Sequence, residues 1–328
     1  MLPIGVLIPT RNCVTLLPGH LQSLQGWLDL VSEIVVVDSH SVDGTLETLQ
    51  NGLAHPNLRF FSHPPGLYQS WNFGISQMKS KYVYVATVGD SITRAGLEHL
   101  YQVAEQFQSD VVISKPHFID EKGKRLPGDP WPIDYVLKHL NLSAPVQLSP
   151  EQQYFFAMMN SWGALLGSSA SNLYTTECLK KRPFPTEFGT AGDNGWGMIN
   201  AFEVKIAVTP ELFSTFRHHP KAYPSSEYYV EDYHLKMYLC GKETLKKELN
   251  KSPERRKQLE QLGLADLDVW LHESVLQQRT LERCREKLIP WIFQPGAWRA
   301  RWLRNHARKN LAVLPERFKR NDPQQTSA

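Results

Sequence analysis

Cysteine is scarce in this sequence: four thiols in 328 residues, at positions 13, 178, 240 and 284, with no C-x-x-C pair among them. That spacing excludes a zinc ribbon or a disulfide framework and suits a reducing compartment. No stretch approaches the ~20 consecutive apolar residues of a membrane-spanning helix. The first residues, MLPIGVLIPTRN, lack a basic region ahead of their apolar run. They read as a first strand rather than a signal peptide, and a cytoplasmic location is expected. Internal repeats are missing. So is a G-x-G-x-x-G fingerprint in the first βα turn, which removes a dinucleotide-dependent oxidoreductase.

What is present has the composition of an ordinary globular protein, 41% hydrophobic and 21% charged. The net charge of +3 is unevenly spread. Residues 281–328 hold eleven of the 36 basic residues and four of the 33 acidic ones. The tail is therefore basic and the body mildly acidic.

Over the first 116 residues, short β-type runs (5–8, 34–37, 59–61, 82–86, 111–113) alternate with apolar stripes at helical spacing. Examples are Leu21, Leu24, Leu28 and Val31, then Trp71, Ile75 and Met78, then Leu97, Leu100, Ala104 and Phe107. Such alternation predicts an α/β fold with a mostly parallel sheet flanked by helices. Beyond residue 115 the pattern predicts a hairpin over 117–125. It then predicts loops and short helices over 126–190, and strands over 203–208 and 212–216. Ser252-Pro253-Glu254 is a helix start, with Ser as N-cap and Pro in the first turn. The expected organisation is a catalytic domain over 1–235, divided at residue 116 into nucleotide-binding and acceptor halves. A helical C-terminal segment over 236–320 and a disordered tail over 321–328 follow.

In a parallel α/β sheet, ligands sit beyond the carboxyl ends of the strands. Four polar clusters follow predicted strands: Pro9-Thr10-Arg11-Asn12, a loop from Asp38 through Ser41 to Thr45, the run beginning Gly66-Leu67-Tyr68, and Thr87-Val88-Gly89-Asp90-Ser91. Asp38, at a strand end, suits a ribose or a base. Asp43-Gly44-Thr45 reads as a turn and cap. On spacing alone Asp90 serves equally as an oxygen ligand for a hard cation or as a helix cap.

The ordered series VLIPTRN, VVVDSHSVDGT, GLYQSWNFGI and KYVYVATVGD resembles glycosyltransferase family 2, the inverting enzymes of the GT-A fold. The likeness returns at GDNGWGM (192–198) and FRHH (216–219). It implies a GT-A-type, Rossmann-like sheet and transfer from a nucleotide-sugar donor, a UDP-sugar above all, to a glycan or lipid-linked acceptor, as in polysaccharide biosynthesis. By the same likeness the donor site comprises Pro9, Thr10, Arg11, Asn12, Asp38, Ser41, Tyr68, Asn72, Val88, Gly89 and Arg217. Asp193 is the implied general base, and Asp90 with His218 the implied holders of Mg2+ or Mn2+. Thr87 and Gly89 stand where the family's metal motif has acids. A second reading is thus a protein of the same fold that binds nucleotide sugar or glycan without turnover. Trp162 and Trp196 are candidate stacking surfaces for an acceptor sugar, although a core role suits each ring as well.

Aromatics and arginines interleave over 289–309, as in Trp298-Arg299-Ala300-Arg301-Trp302. Such a segment either lies on an anionic membrane surface, on the inner face for a cytoplasmic chain, or packs on the body as an amphipathic helix. No nucleic-acid motif accompanies it, and no nucleic-acid partner is expected.

Overall fold

The computed structural model describes residues 1–127, 131–159, 165–217 and 233–264. An eight-stranded sheet is built from β1 (Ile4–Thr10), β2 (Glu33–Asp38), β3 (Leu58–Ser62), β4 (Tyr82–Val85), β6 (Val111–Ile113), β8 (Val146–Gln147), β9 (Asn172–Thr175) and β10 (Ile206–Val208). Its order is β3-β2-β1-β4-β9-β6-β10-β8. A small second sheet has the order β5-β11-β7, formed by β5 (Ser91–Ile92), β7 (Pro116–Ile119) and β11 (Ser214–Arg217). The first four strands in spatial order are parallel, and β9 runs antiparallel to both its neighbours.

Ten helices accompany these strands among the described residues: α1 (Leu17–Gln25), α2 (Thr45–Gly52), α3 (Leu67–Gln77), α4 (Arg94–Phe107), α5 (Pro132–Leu140), α6 (Pro150–Met159), α7 (Thr176–Lys181), α8 (Gly192–Ile199), α9 (Tyr233–Leu249) and α10 (Pro253–Gln261). Period-two alternation decides which face each strand residue serves. Leu7, Val35 and Val37 join one core with Trp71 and Ile75 of α3, while Val6, Ile8, Ile34 and Val36 join the other with Leu24 of α1 and Leu97 of α4. Both faces are therefore covered, and these strands are buried throughout.

Gly74 lets α3 lie close to the sheet: a Cβ there would meet Leu7 Cδ1 at 2.4 Å and Val37 Cγ2 at 2.9 Å. Gly74→Val is expected to cost about 1–3 kcal/mol by overpacking, read as a lowered melting temperature.

The helical stripe through Val31 is broken after Gln25, and a 3₁₀ turn spans Leu28–Leu30. The 117–125 hairpin is only partly formed. Asp120 Oδ1 accepts from the N–H groups of Lys122 and Lys124 to make the turn, but β7 takes β11 as its parallel partner and a single bridge joins Ile119 to Arg125. The larger correction is β9. It lies at the middle of the main sheet, within a region the sequence reads as loops and short helices. Four residues, Asn-Leu-Tyr-Thr, are too few for a period to declare itself. The expected strand over 203–208 shortens to β10, and that over 212–216 shifts to β11.

Ser252 caps α10 by accepting from Arg255 N–H (3.1 Å). Arg255 also ties α10 back to α6 through Glu151 and to α9 through Glu248. No helix among the described residues is long and apolar enough to cross a membrane. The basic stretch 289–309 and the tail 321–328 lie outside the described residues.

Candidate active site

Asp38 closes β2 at the carboxyl edge of the sheet and is 3% exposed. Its Oδ1 accepts from the hydroxyls of Thr10 (3.1 Å) and Ser41 (2.6 Å), and its Oδ2 from Ser41 N–H (2.9 Å). Two loops are fastened together in this way. Asn12, at φ +47°, and Ser41 complete the tie: Asn12 N–H donates to Ser41 Oγ (2.9 Å), and Val42 N–H to Asn12 Oδ1 (2.9 Å). Pro9 and Thr10 are paired to Val37 and Asp38 in the strand register, with Arg11 at the exposed start of the loop. Asp43-Gly44-Thr45 forms a turn and helix start, with Gly44 at φ +89° and Asp43 accepting from Thr45 and Val14.

Beside it, the chain leaves β4 through a tight turn. Asp90 N–H donates to Thr87 C=O (3.1 Å), and Gly89 sits at φ +103°, the conformation a type II turn requires at its third residue. Asp90 is 8% exposed. Its Oδ1 accepts from Arg217 N–H (2.8 Å), and burial pushes its carboxyl up to about 7 against the lowering effect of that bond and one to Thr87. The cap of α4 is Thr93, whose hydroxyl accepts from Gly96 N–H (3.1 Å), so Asp90 is free of that duty.

The loop is held from several sides. His20 Nδ1–H donates to Asp90 C=O (3.3 Å), and burial depresses the ring to about 4, which keeps it neutral. Trp27 Nε1–H donates to Ile92 C=O (3.0 Å), and Ser91 bonds Thr215 through their hydroxyls (2.6 Å). Arg217 directs its guanidinium at the carbonyls of Gly89 (3.2 Å), Asp120 (3.1 Å) and Glu121 (2.7 Å). Val88 and Gly89 are half-buried within this framework.

Asp193 stands in the first turn of α8. It is half-buried, and its Oδ1 accepts from Asn194 N–H (2.8 Å). Burial raises its carboxyl to about 6, opposed by the bond from Asn194 N–H, while the nearby Tyr68 hydroxyl donates to Thr190 C=O (3.3 Å). Tyr68 belongs to the first turn of α3, the helix whose Ser70 bonds Ser39 at the end of β2 (2.8 Å between hydroxyl oxygens). Gly192, the residue before Asp193, lies against the Tyr68 ring, so Asp193 sits beside the amino-terminal turn of α3. Asp90 follows β4, the strand beside β1. All three carboxylates consequently lie at the carboxyl-terminal edge of the main sheet.

Other candidates have different placements. Asn72 exchanges two bonds with the backbone of Phe184, accepting at 2.9 Å and donating at 2.8 Å, and so clamps α3 to the segment before α8. Trp196 is fully buried, its Nε1–H donating to Arg182 C=O (2.6 Å). It offers no ring face to an acceptor sugar, and its role is core. Trp162 and His218 lie outside the described residues. His20 and Ser169, whose Oγ is 3.2 Å from Thr87 Oγ1, carry no sequence signal for this site, because their partners are 70 and 82 positions away.

Among the described residues no group of three or more His, Cys, Asp or Glu converges to hold a metal ion. Asp90 alone does not make a standing metal centre. A single carboxylate does fit the mode in which Mg2+ or Mn2+ is held by one or two acids together with substrate phosphates.

Residues 5–160 match the family model for glycosyl transferase family 2. Among solved structures, residues 1–349 of S. aureus TarS in complex with UDP-GlcNAc are 19% identical, with a TM-score of 0.52 over 98% of this chain and 93% of that one. The mannosyltransferase PcManGT from Pyrobaculum calidifontis, in complex with GDP-Man and Mn2+, is 16% identical, with a TM-score of 0.53 over 96% of this chain and 84% of that one. Likeness at these identities carries the fold, which is that of GT-A glycosyltransferases. No curated protein sequence matches the chain.

Proposed function

We propose, from the match of residues 5–160 to the glycosyl transferase family 2 model, an inverting glycosyltransferase that draws its sugar from a nucleotide-sugar donor, a UDP-sugar in the first instance. The observation that supports this reading is the gathering of acids at one edge of the main sheet: Asp38 closes β2, and Asp193 follows Gly192, which lies against the ring of Tyr68 in the first turn of α3.

In this reading the ledge made by Thr10, Asp38 and Ser41 takes the nucleoside. Asp193 accepts the proton of an acceptor hydroxyl as its oxygen attacks the anomeric carbon. The bond from that carbon to the diphosphate oxygen breaks, and the nucleoside diphosphate leaves with the electron pair. A carboxylate raised toward 6 is a better base than an ordinary one and is still ionised at neutral pH. Asp90 would hold a divalent ion, Mg2+ or Mn2+, that offsets the charge of the departing diphosphate. The acceptor is a glycan or a lipid-linked sugar. Residues 289–309 bring the chain to an anionic membrane surface where a lipid-linked acceptor resides.

A panel of UDP- and GDP-sugars, assayed for transfer and for donor hydrolysis with and without Mn2+, tests the proposal. Turnover with at least one donor is the expected result. Donor binding without turnover across the panel would instead support a binding protein of the same fold, a reading favoured by the single acid in Thr87-Val88-Gly89-Asp90.

A further inference from the structure

We propose that Arg217 is a positioning residue for Asp90, strapping the turn that carries it to the neighbouring turn at 120–124, and that it makes no contact with the donor diphosphate. This inference rests on the reading of Asp90 as the holder of a divalent ion. Strand register puts Arg217 in place. β11 lies between β5, where Thr215 pairs with Ser91, and β7, where Arg217 pairs with Ile119. Arg217 therefore ends its strand with the Asp90 turn on one side and the 120–124 turn on the other.

All its printed bonds go to those two turns. The backbone N–H donates to Asp90 Oδ1 (2.8 Å) and Nε–H to Gly89 C=O (3.2 Å), while Nη1 donates to the carbonyls of Asp120 (3.1 Å) and Glu121 (2.7 Å). A guanidinium is a planar fork of donors with fixed directions, so these bonds set one turn against the other. Asp120 shapes the far anchor: its Oδ1 accepts from the N–H groups of Lys122 (2.9 Å) and Lys124 (2.8 Å), and its C=O from Gly123 N–H (3.0 Å). The need for a strap lies in Gly89. A glycine at φ +103° has the widest choice of backbone conformations, and its carbonyl belongs to the peptide leading into Asp90. Holding that carbonyl and one carboxylate oxygen from the same residue fixes both the peptide plane and the side chain. Asp90 is the one acid in Thr87-Val88-Gly89-Asp90, so its aim has no second carboxylate to correct it. Donors committed to these carbonyls cannot turn to a diphosphate without releasing the loop.

Binding of UDP, and in parallel of GDP, to the full chain titrated with Mn2+ reads the strap directly. In Arg217→Ala the Mn2+ concentration at half-maximal nucleotide binding is expected to rise about tenfold, as for the loss of a hydrogen bond from a charged group. Nucleotide affinity without metal should not change. Arg217→Lys offers one ammonium in place of the fork and should recover part of the loss. Asp120→Ala leaves Arg217 intact and loosens only the far anchor, so the same midpoint should rise about threefold. A fall in metal-free nucleotide affinity in Arg217→Ala would make the guanidinium a diphosphate contact and overturn the inference. So would an unmoved Mn2+ midpoint in Arg217→Ala or, where that variant does not fold, in Asp120→Ala. Wild type separates the two levels. If it binds nucleotide equally with and without Mn2+, the reading of Asp90 fails and takes the inference with it, whereas an ion-dependent wild type with unmoved variant midpoints refutes only the role of Arg217.

Discussion

Asp193→Asn is expected to lower transfer by about 10²–10⁴-fold, the usual worth of a positioned general base, while donor affinity stays within a few-fold of wild type. The amide is nearly isosteric and its oxygen can still accept from Asn194 N–H, as Oδ1 does now at 2.8 Å. What it cannot do is take a proton from an attacking hydroxyl. The pH profile should carry the same signature. Asp193 is raised to about 6 by burial, so below that pH the carboxyl holds its proton and kcat/KM should fall about tenfold per unit. Above it the base is ionised and the profile should level off. Single-turnover transfer and equilibrium donor binding, measured on the same preparation, decide the matter. Full turnover in Asp193→Asn would remove the base assignment.

Asp90→Asn should give two results of opposite sign. Metal-dependent donor affinity is lost, because an amide is a poor ligand for a hard cation. The empty protein, by contrast, should become more stable. Burial raises Asp90 to about 7, so between roughly pH 4 and 7 the folded chain keeps a proton that the unfolded chain has released. Stability therefore falls as pH rises through that window, and above pH 7 the whole cost of the buried charge is present. Removing the charge should return about 1–3 kcal/mol at pH 8 and nothing near pH 4. The carbonyl of Asn can still accept from Arg217 N–H, which preserves the loop. Melting curves at the two pH values, together with donor titrations with and without Mn2+, read both effects. Equal donor affinity in wild type with and without the ion would show that Asp90 serves no metal.

These two variants also mark how much of the site could be read in advance. Asp38, Asp90 and Asp193 are visible in the sequence because each sits in a recognisable motif, the first two at the ends of buried apolar runs. Tyr68 is visible as well, but only as a member of the GLYQSWNFGI motif. Its closeness to Asp193 depends on α3 and α8 meeting across 125 residues, and no local pattern encodes that approach.

By itself the chain order of apolar runs and helical stripes determined the alternating first half, because strand and helix periods are properties of a dozen consecutive residues. The same holds for the turn at Asp43-Gly44-Thr45 and the N-cap at Ser252, where one or two side chains serve their own neighbours. Tertiary structure alone decided that Asn172–Thr175 inserts antiparallel between β4 and β6. It alone turned Asn72 and Arg217 toward backbone groups of distant segments and sank Trp196 into the core. The physical reason is common to these cases. A hydrogen bond or a packed ring takes whatever partner the folded chain places within about 3–4 Å, and sequence distance leaves no record of that choice.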